Sequence, residues 1–574
     1  MTTFAGRMRC LVGGALLSLV LCLSQALGAG TGAELVSGYS AAEALRLGEI
    51  MYFKGLLPSG LPLQALVQGD VELNGTMATC THCHMKSGLG SMEGGVLTLP
   101  TSGARLYAPL TRQQDLPGPL MNRLMFKNPP RPAYSDAALA NVLSHGVDPA
   151  GRYLSETMPR YQLSEDEMGI LVFYLKQLSA VVSPGVEEDE IRFATIVSDK
   201  ISAADRDALL LPIQATLNDE WNERLLVLGA KWNAQWYGAE AAKQGKVPKL
   251  RKAVLDVWEL KGAESTWGGQ LEALYRKRPV FAILGGMTHG SWDVAHRFCE
   301  ENRIPSLFPT TELPTVSATD WYTLYFSKGV YQEGETAAKY LAHAPDLPPY
   351  QGVVQVFRDS EAGRALARGF DDAWKEVGKA PLSAHRLAVG ERIGPRFWTK
   401  LRSSHPKAAL VLWLAPEDLA GIEQLTAAPA HPAALFFSAT QLGGKLEAVP
   451  DALREFSFIT YPKRLPGDDE YTRALVTNWM KIKKIPVTNL AVSANSYFFT
   501  RMLSRILLDM GNDLYRDYFL DLWDCSQDQT RGSLRYPRLS FGPGQRYASK
   551  GCYVVGLTRG GDPKPVKKSD WVIY

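Results

Sequence analysis

The sequence predicts two domains of different class, a small all-α domain followed by a larger two-lobed α/β domain. Three observations predict this. At 574 residues the chain exceeds what one hydrophobic core fills. Residues 183–190, SPGVEEDE, place Pro, Gly and four acids between two well-patterned regions. Upstream of that break the apolar residues mark short helices with long irregular connections, and downstream they mark strands alternating with helices. The expected boundaries are a leader at 1–29, a helical domain at 30–182, a linker at 183–190 and an α/β domain at 191–574.

Met1 to Gly28 reads as a secretory signal of the general export type. Arg7 and Arg9 precede an apolar run from Leu11 to Leu23, and small residues follow around Ala26, Gly28 and Ala29. Cys22 raises a lipoprotein alternative, but Leu21 stands before it where a small residue is wanted. After the leader no apolar run is long enough to cross a bilayer. The expected location is therefore the periplasm. The 62 basic and 59 acidic residues give a net charge of +3. That balance offers nothing to a nucleic acid.

The first helix is expected over Ala41 to Gly55, from the spacing of Ala42, Leu45, Leu47 and Ile50. A second starts at Ser135 and Asp136, is carried by Leu139, Val142 and Leu143, and stops at Gly146. A third opens on the capping box from Ser164 to Glu167 and runs through Met168, Leu171, Val172, Leu175 and Leu178.

Between the first and second helices lies CTHCH, Cys80 to His84, which occurs once. Two thiols three positions apart can each add to a vinyl group of one porphyrin, while the adjacent imidazole ligates its iron. One covalently attached haem c is the expected cofactor, with Cys80 and Cys83 as anchors and His84 as an iron ligand. Zinc would want a second Cys or His pair, and the chain has no second CxxC. A redox disulfide would sit beside a βαβ unit, which this region lacks. For the sixth position Met158 is preferred, because Met158-Pro159 lies in an irregular stretch just ahead of the capped helix. Met85 and Met92 are too close to the attachment site, while His145 and an open iron site remain alternatives.

Downstream, Phe193 to Val197, Ala253 to Trp258 and Val280 to Gly285 read as strands, each followed by a helical stretch. Val280 to Pro305 and Gly352 to Val377 repeat the unit most clearly, and Ala408 to Trp413 and Ala434 to Ser438 supply later strands. Alternation of this kind predicts parallel sheets covered on both faces. The 385 residues from Glu190 to Tyr574 fit two such lobes better than one. Arg224 to Gly245 reads as an insertion carrying Trp232, Trp236 and Tyr237, which pack or shape a pocket. Among the cysteines outside the leader and the CTHCH motif, Cys525 and Cys552 either close a disulfide or stay as core thiols, and Cys299 reads as a buried thiol on a helix.

GTMATCTHCHMKSGLGSMEGG, followed by GVDPAGRYLSETMPRYQLSEDEMGILVFYLKQL, resembles class I mono-haem c-type cytochromes over roughly Ala41 to Ala180. The resemblance implies that Cys80 and Cys83 are thioether anchors, that His84 and Met158 are the two axial ligands, and that Val147 to Tyr161 is the loop delivering the sulfur. VFAILGGMTHGSWDVAHRFCEENRIPSLFPTTELP, GVVQVFRDSEAGRALARGFDDAWKEVG and LSFGPGQRYASKGCYVVGL resemble segments of type 1 periplasmic binding proteins, which include branched-chain amino-acid receptors of ABC importers. That likeness implies two hinged α/β lobes closing on a small solute. By position Thr288, Ser291, Thr310 and Thr311 would face the cleft from the first lobe and Asp359 from the second. Each reads equally well as a helix cap or turn residue.

Together these readings describe an electron carrier rather than an enzyme, fused to a module for a small ligand or redox partner. A periplasmic dehydrogenase or terminal oxidase is the expected kind of redox partner. The alternatives are a ligand receptor or redox-linked sensor for a transport system, and a haem enzyme with an open iron site.

Overall fold

The computed structural model describes residues 35–93, 96–111, 129–225, 249–344, 347–379, 382–427, 431–526 and 533–573. The expected leader, and Trp232, Trp236 and Tyr237, lie outside them. The chain divides into two compact units, one formed by Met1–Leu116 and Leu120–Val181, the other by Pro117–Pro119 and Val182–Tyr574.

The first unit contains helices α1 (Ala41–Lys54), α2 (Thr81–His84), α3 (Gly103–Leu106), α4 (Asp136–His145) and α5 (Glu165–Gln177). Local sequence sets their ends. Ser40 accepts from the Glu43 N–H at the start of α1, and Gly55 in the left-handed region closes it. Ser164 and Glu167 form the expected capping box on α5. α1 and α5 pack at Gly48, where a β-carbon would collide with Tyr174, and the Tyr52 and Tyr174 rings lie 5.5 Å apart beside the crossing. Leu47, Met51, Leu139, Val142, Leu143, Leu171 and Leu175 form the core under these helices.

The expectation of an all-α first domain is corrected. β1 (Gln64–Val67) and β2 (Val71–Asn74) form an antiparallel hairpin through a tight turn with Gln68 and Gly69 at positive φ, and β5 (Arg160–Tyr161) pairs on the other side of β1. A second short ladder joins β3 (Met92–Glu93) and β4 (Val96–Leu97). The hairpin exists because Leu63 and Ala65 are buried against the helices, which gives β1 an inward face. Its shortness, in a stretch rich in Gly and Pro, hid the alternation.

In the second unit lobe 1 is a parallel sheet of order β10, β9, β8, β6, β7. Its strands are β6 (Glu190–Ser198), β7 (Lys252–Leu260), β8 (Ala282–Leu284), β9 (Ser306–Leu307) and β10 (Thr323–Leu324), with helices α6 (Ala203–Ala215), α7 (Trp267–Lys277) and α8 (Asp293–Glu301). The segment before β6 is tied to this lobe, since Ser183 accepts from the Arg516 N–H at 2.9 Å and the Arg192 N–H reaches the Gly185 carbonyl.

Lobe 2 carries α9 (Val330–His343), β11 (Val353–Arg358), α10 (Glu361–Glu376), β12 (Ser383–Leu387), α11 (Pro395–Ser404), β13 (Ala409–Trp413), β14 (Ala434–Ser438) and β15 (Ser457–Tyr461). The order β12, β11, β13, β14, β15 is parallel. Every residue of ALVLW in β13 and ALFFS in β14 is buried, as central parallel strands require. The chain then returns to lobe 1 for α12 (Glu470–Ile482), α13 (Leu490–Met510) and α14 (Arg516–Asp524). α13 packs on α6, with Ser493 Oγ bonded to the Ala208 carbonyl and Asn489 Nδ2 to Asp205 Oδ1. Finally β16 (Gly551–Leu557), β17 (Pro565–Lys567) and β18 (Val572–Ile573) extend the lobe 2 sheet in antiparallel fashion, departing from the purely parallel expectation.

Three crossovers therefore join the lobes, and they are hydrogen-bonded to one another. Tyr325 N–H donates to the Arg546 carbonyl and its own carbonyl accepts from Ala548 N–H, Ser549 N–H reaches the Phe326 carbonyl, and Arg464 N–H reaches the Arg535 carbonyl at 2.8 Å. Cys299 is buried on α8, as expected. The disulfide alternative is corrected: Cys525 and Cys552 are thiols, the first exposed at the end of α14 and the second wholly buried in β16.

Candidate functional site

The single turn of α2 places the CTHCH side chains. Cys80 caps it and is buried, Cys83 is exposed, and His84 N–H closes the turn on the Cys80 carbonyl at 2.9 Å. Burial pushes the Cys80 thiol up to about 11, and the Tyr161 hydroxyl lies 3.6 Å from its sulfur while donating to the Ala78 carbonyl.

His84 Nδ1 is 2.8 Å from the Leu99 carbonyl. A carbonyl only accepts, so Nδ1 carries the proton and Nε2 keeps a free lone pair. Burial lowers the ring to about 4, so the imidazole is neutral and fit to ligate.

Met158 is held from behind. Asp148 accepts from the Ala150 and Arg152 N–H groups and from the Arg152 guanidinium, which folds the start of the loop. Arg160 then donates to the carbonyls of Met158, Leu154 and Ser155 at 2.6, 3.1 and 3.2 Å. Its guanidinium lies over Gly146, whose φ of 75° and lack of a β-carbon permit that approach.

Cys80, Cys83, His84 and Met158 all line one cavity of about 490 Å³, and His84 and Met158 also line an adjoining one of about 350 Å³. Leu99, Leu143, Leu154 and Leu175 make both largely apolar. Arg131 faces both cavities while donating to the carbonyls of Leu106, Ala108 and Pro132. The rivals for the sixth position stand elsewhere: Met85 is buried in the core outside both cavities, and His145 is exposed at the end of α4. The side chain of Met92 lies outside the described residues. Two thiols, a bare imidazole nitrogen and a thioether around an apolar slot could hold an iron porphyrin.

In the second unit, Thr288 and Ser291 follow β8, and Thr310 and Thr311 follow β9, at the carboxyl ends of their strands. Thr310 N–H bonds to the Gly286 carbonyl at 2.8 Å and so brings the two loops together. Their hydroxyls serve the loops themselves: Thr288 donates to the Ser291 carbonyl, Ser291 to Glu264, and Thr311 accepts from the Leu313 N–H. Asp359, after β11, is bound by Arg364 at 2.7 Å and Arg386 at 2.6 Å, and the Arg386 hydrogen bond leads in holding its carboxyl below the usual range. Sequence reading missed His289, whose Nδ1 lies 2.8 Å from Ser198 Oγ at the end of β6. The polar break MTHGS after the third strand was its only local signal. Among the described residues no group of three or more His, Cys, Asp or Glu side chains is arranged around a bare metal ion.

The sequence profile of the family described as "Periplasmic binding protein" matches residues 228–538, more than half of the chain. This chain belongs to that family. The matched residues of this periplasmic binding protein lie in the two-lobed second unit. No curated protein matches the chain. Solved structures similar to it include an ABC transporter substrate-binding protein from Sphaerobacter thermophilus, at 12% identity and TM-score 0.46, covering 67% of this chain and 98% of that one. A solute binding protein from R. palustris in complex with benzoate shows 12% identity, TM-score 0.43 and coverage of 67% and 98%. A branched chain amino acid ABC transporter from Thermus thermophilus with bound valine shows 12% identity, TM-score 0.43 and coverage of 67% and 97%. Within the described residues of this periplasmic binding protein, no helix is long and apolar enough to cross a membrane.

Proposed function

We propose that this chain is a periplasmic solute-binding receptor with a redox-active unit attached. The observation that carries the receptor half is the family match over a two-lobed unit whose halves meet through three hydrogen-bonded crossovers. The ligand is a small molecule taken between the lobes, where the loops of Thr288, Ser291, Thr310 and Thr311 on one side and of Asp359 on the other are the candidate walls. Isolating the protein from its periplasm and identifying co-purified small molecules by mass spectrometry tests it. A receptor returns a bound metabolite, and a lobe pair that binds nothing in a metabolite panel by calorimetry refutes it.

The redox half rests on one observation, the convergence of Cys80, Cys83, His84 and Met158 on a single apolar cavity. A haem c there would supply one-electron transfer, and Cys80, Cys83, His84 and Met158 are the residues that would hold it. The chain's own residues do the rest. Cys80 and Cys83 would anchor the group, the Leu99 carbonyl fixes the His84 tautomer, and Arg160 holds the Met158 loop. A protein electron donor and acceptor, of the periplasmic dehydrogenase or terminal oxidase kind, would complete the circuit. Met158→Ala should abolish the far-red absorption band that methionine gives with ferric haem, and its persistence would exclude Met158. Ligand affinity that differs between oxidised and reduced protein would identify a redox-linked sensor, and equal affinity a carrier with an independent binding module.

A further inference from the structure

A further cavity of functional size lies at the crossovers of the second unit. It measures about 490 Å³ and is walled by the residues leaving β15, by the starts of α12 and α13, and by the third crossover at Leu534 and Arg535. Its charges are unbalanced. Lys463, Arg464, Arg473 and Arg535 line it against a single carboxylate, Asp469.

Part of that charge is neutralised within the protein. Arg473 pairs with Asp469, and Arg535 pairs with Glu312 from the loop between β9 and β10. Arg464 is stitched to the carbonyls of Ser533 and Pro537. Lys463 is different. It is half-buried and makes no ion pair or hydrogen bond among the described residues, and Arg535 Nε is buried without a partner. Burial and the Arg535 charge both push the Lys463 ammonium down, with Glu312 and Glu333 pulling the other way. A half-buried ammonium beside a guanidinium is a costly arrangement that a bound anion would relieve.

The geometry points to a binding site for a small organic acid with more than one carboxylate, taken at the crossovers by Lys463 and its neighbouring arginines. The cavity is of ligand size rather than ion size. Tyr461, Leu465 and Leu534 offer an apolar wall to a carbon skeleton, and the cations offer carboxylate partners. Because the wall is built from two of the three crossovers, an occupant touches the segments that must flex when the lobes close. The site stands or falls independently of the redox unit.

Titration calorimetry on the full chain, with citrate, inorganic phosphate and L-valine as probes at constant ionic strength, tests it. Citrate should bind, phosphate should bind more weakly, and L-valine should not compete with citrate. Lys463→Met should weaken citrate about tenfold or more, Lys463→Glu should abolish it, and Lys463→Arg should retain it. Lys463→Met should also melt no lower than the parent without citrate, because an unneutralised charge has gone. Citrate affinity unchanged in Lys463→Glu, phosphate binding without citrate binding, or no binding of either anion would each overturn the assignment.

Discussion

The hydroxyl of Thr460 lies 2.9 Å from Oε2 of Glu333, with both residues fully buried in lobe 2. The same hydroxyl lies 3.1 Å from the Phe437 carbonyl. Thr460 has one hydrogen to donate. Both contacts are hydrogen bonds at once only when the Glu333 carboxyl is protonated and donates to Thr460, leaving Thr460 to serve Phe437.

Burial pushes Glu333 from 4.5 up to about 7, and the hydroxyls of Thr440, Ser438 and Thr460 offset this only in part. The folded protein therefore holds a proton that the unfolded chain releases near 4.5. Its contribution is fully present below that value and is lost as pH rises through about 7. At about 1.4 kcal/mol per unit, the loss between pH 5 and pH 8 is on the order of 3 kcal/mol. Glu333→Gln should flatten this part of the pH dependence in urea denaturation and raise the melting temperature near pH 8. A variant with the parent's pH dependence would show that another group sets it.

Gly146→Ala should destabilise the first unit by about 1–3 kcal/mol or more through backbone strain alone. The added methyl also meets the Arg160 guanidinium, which can move only by releasing carbonyls of the Met158 loop. Arg160→Ala should loosen that loop with a smaller loss of stability. Chemical denaturation separates the two, and proteolysis within residues 147–158 reports the loosening.

Asp524 and Arg546 form a buried pair in which Nη2 of the arginine donates to both carboxylate oxygens, their side chains 1% and 5% exposed. The arginine also donates to the Trp321 carbonyl and lies 4.3 Å from the ring centre of that tryptophan. The pair thus ties α14 and the third crossover to the segment before β10. Asp524→Ala should cost about 3–5 kcal/mol, because it leaves a guanidinium buried without its carboxylate. Asp524→Leu combined with Arg546→Met should recover much of that loss in guanidinium denaturation.

Thiol labelling of the native protein should modify Cys525 quickly and spare Cys299 and Cys552. The latter two are wholly buried, and burial pushes both thiols far up. Peptide mapping checks the sites. Rapid modification of Cys552 would mean that β16 opens readily.

Where local sequence decides local structure, the chain was readable. Ser135 and Gly146 bound α4 as their cap chemistry demands, and the buried runs ALVLW and ALFFS are strands as they read. The β1 and β2 hairpin was not readable, because four-residue strands carry too few alternations to rise above their Gly and Pro surroundings. In the site, CTHCH and Met158 could be named because their chemistry is written in residue type. Thr288, Ser291 and Thr311 carry no such mark. Whether a hydroxyl serves its own loop or a ligand depends on partners that only the fold supplies, such as the Ser291 carbonyl and the Leu313 N–H. Lys463 and Arg535 escaped notice for a related reason, since 71 positions separate them in sequence and two crossovers bring them to one wall.

Those crossovers also order the protein's assembly in time. The sheet of lobe 1 is finished at β10, but its covering helices α12 to α14 are made only after all the parallel strands of lobe 2. An emerging chain must therefore keep the apolar face under α13 uncovered until residue 510 has appeared. That is a long wait for a segment prone to misassociate. The first unit ends at residue 181 and faces no such delay, so the CTHCH segment can be folded while most of its own polypeptide is still being made.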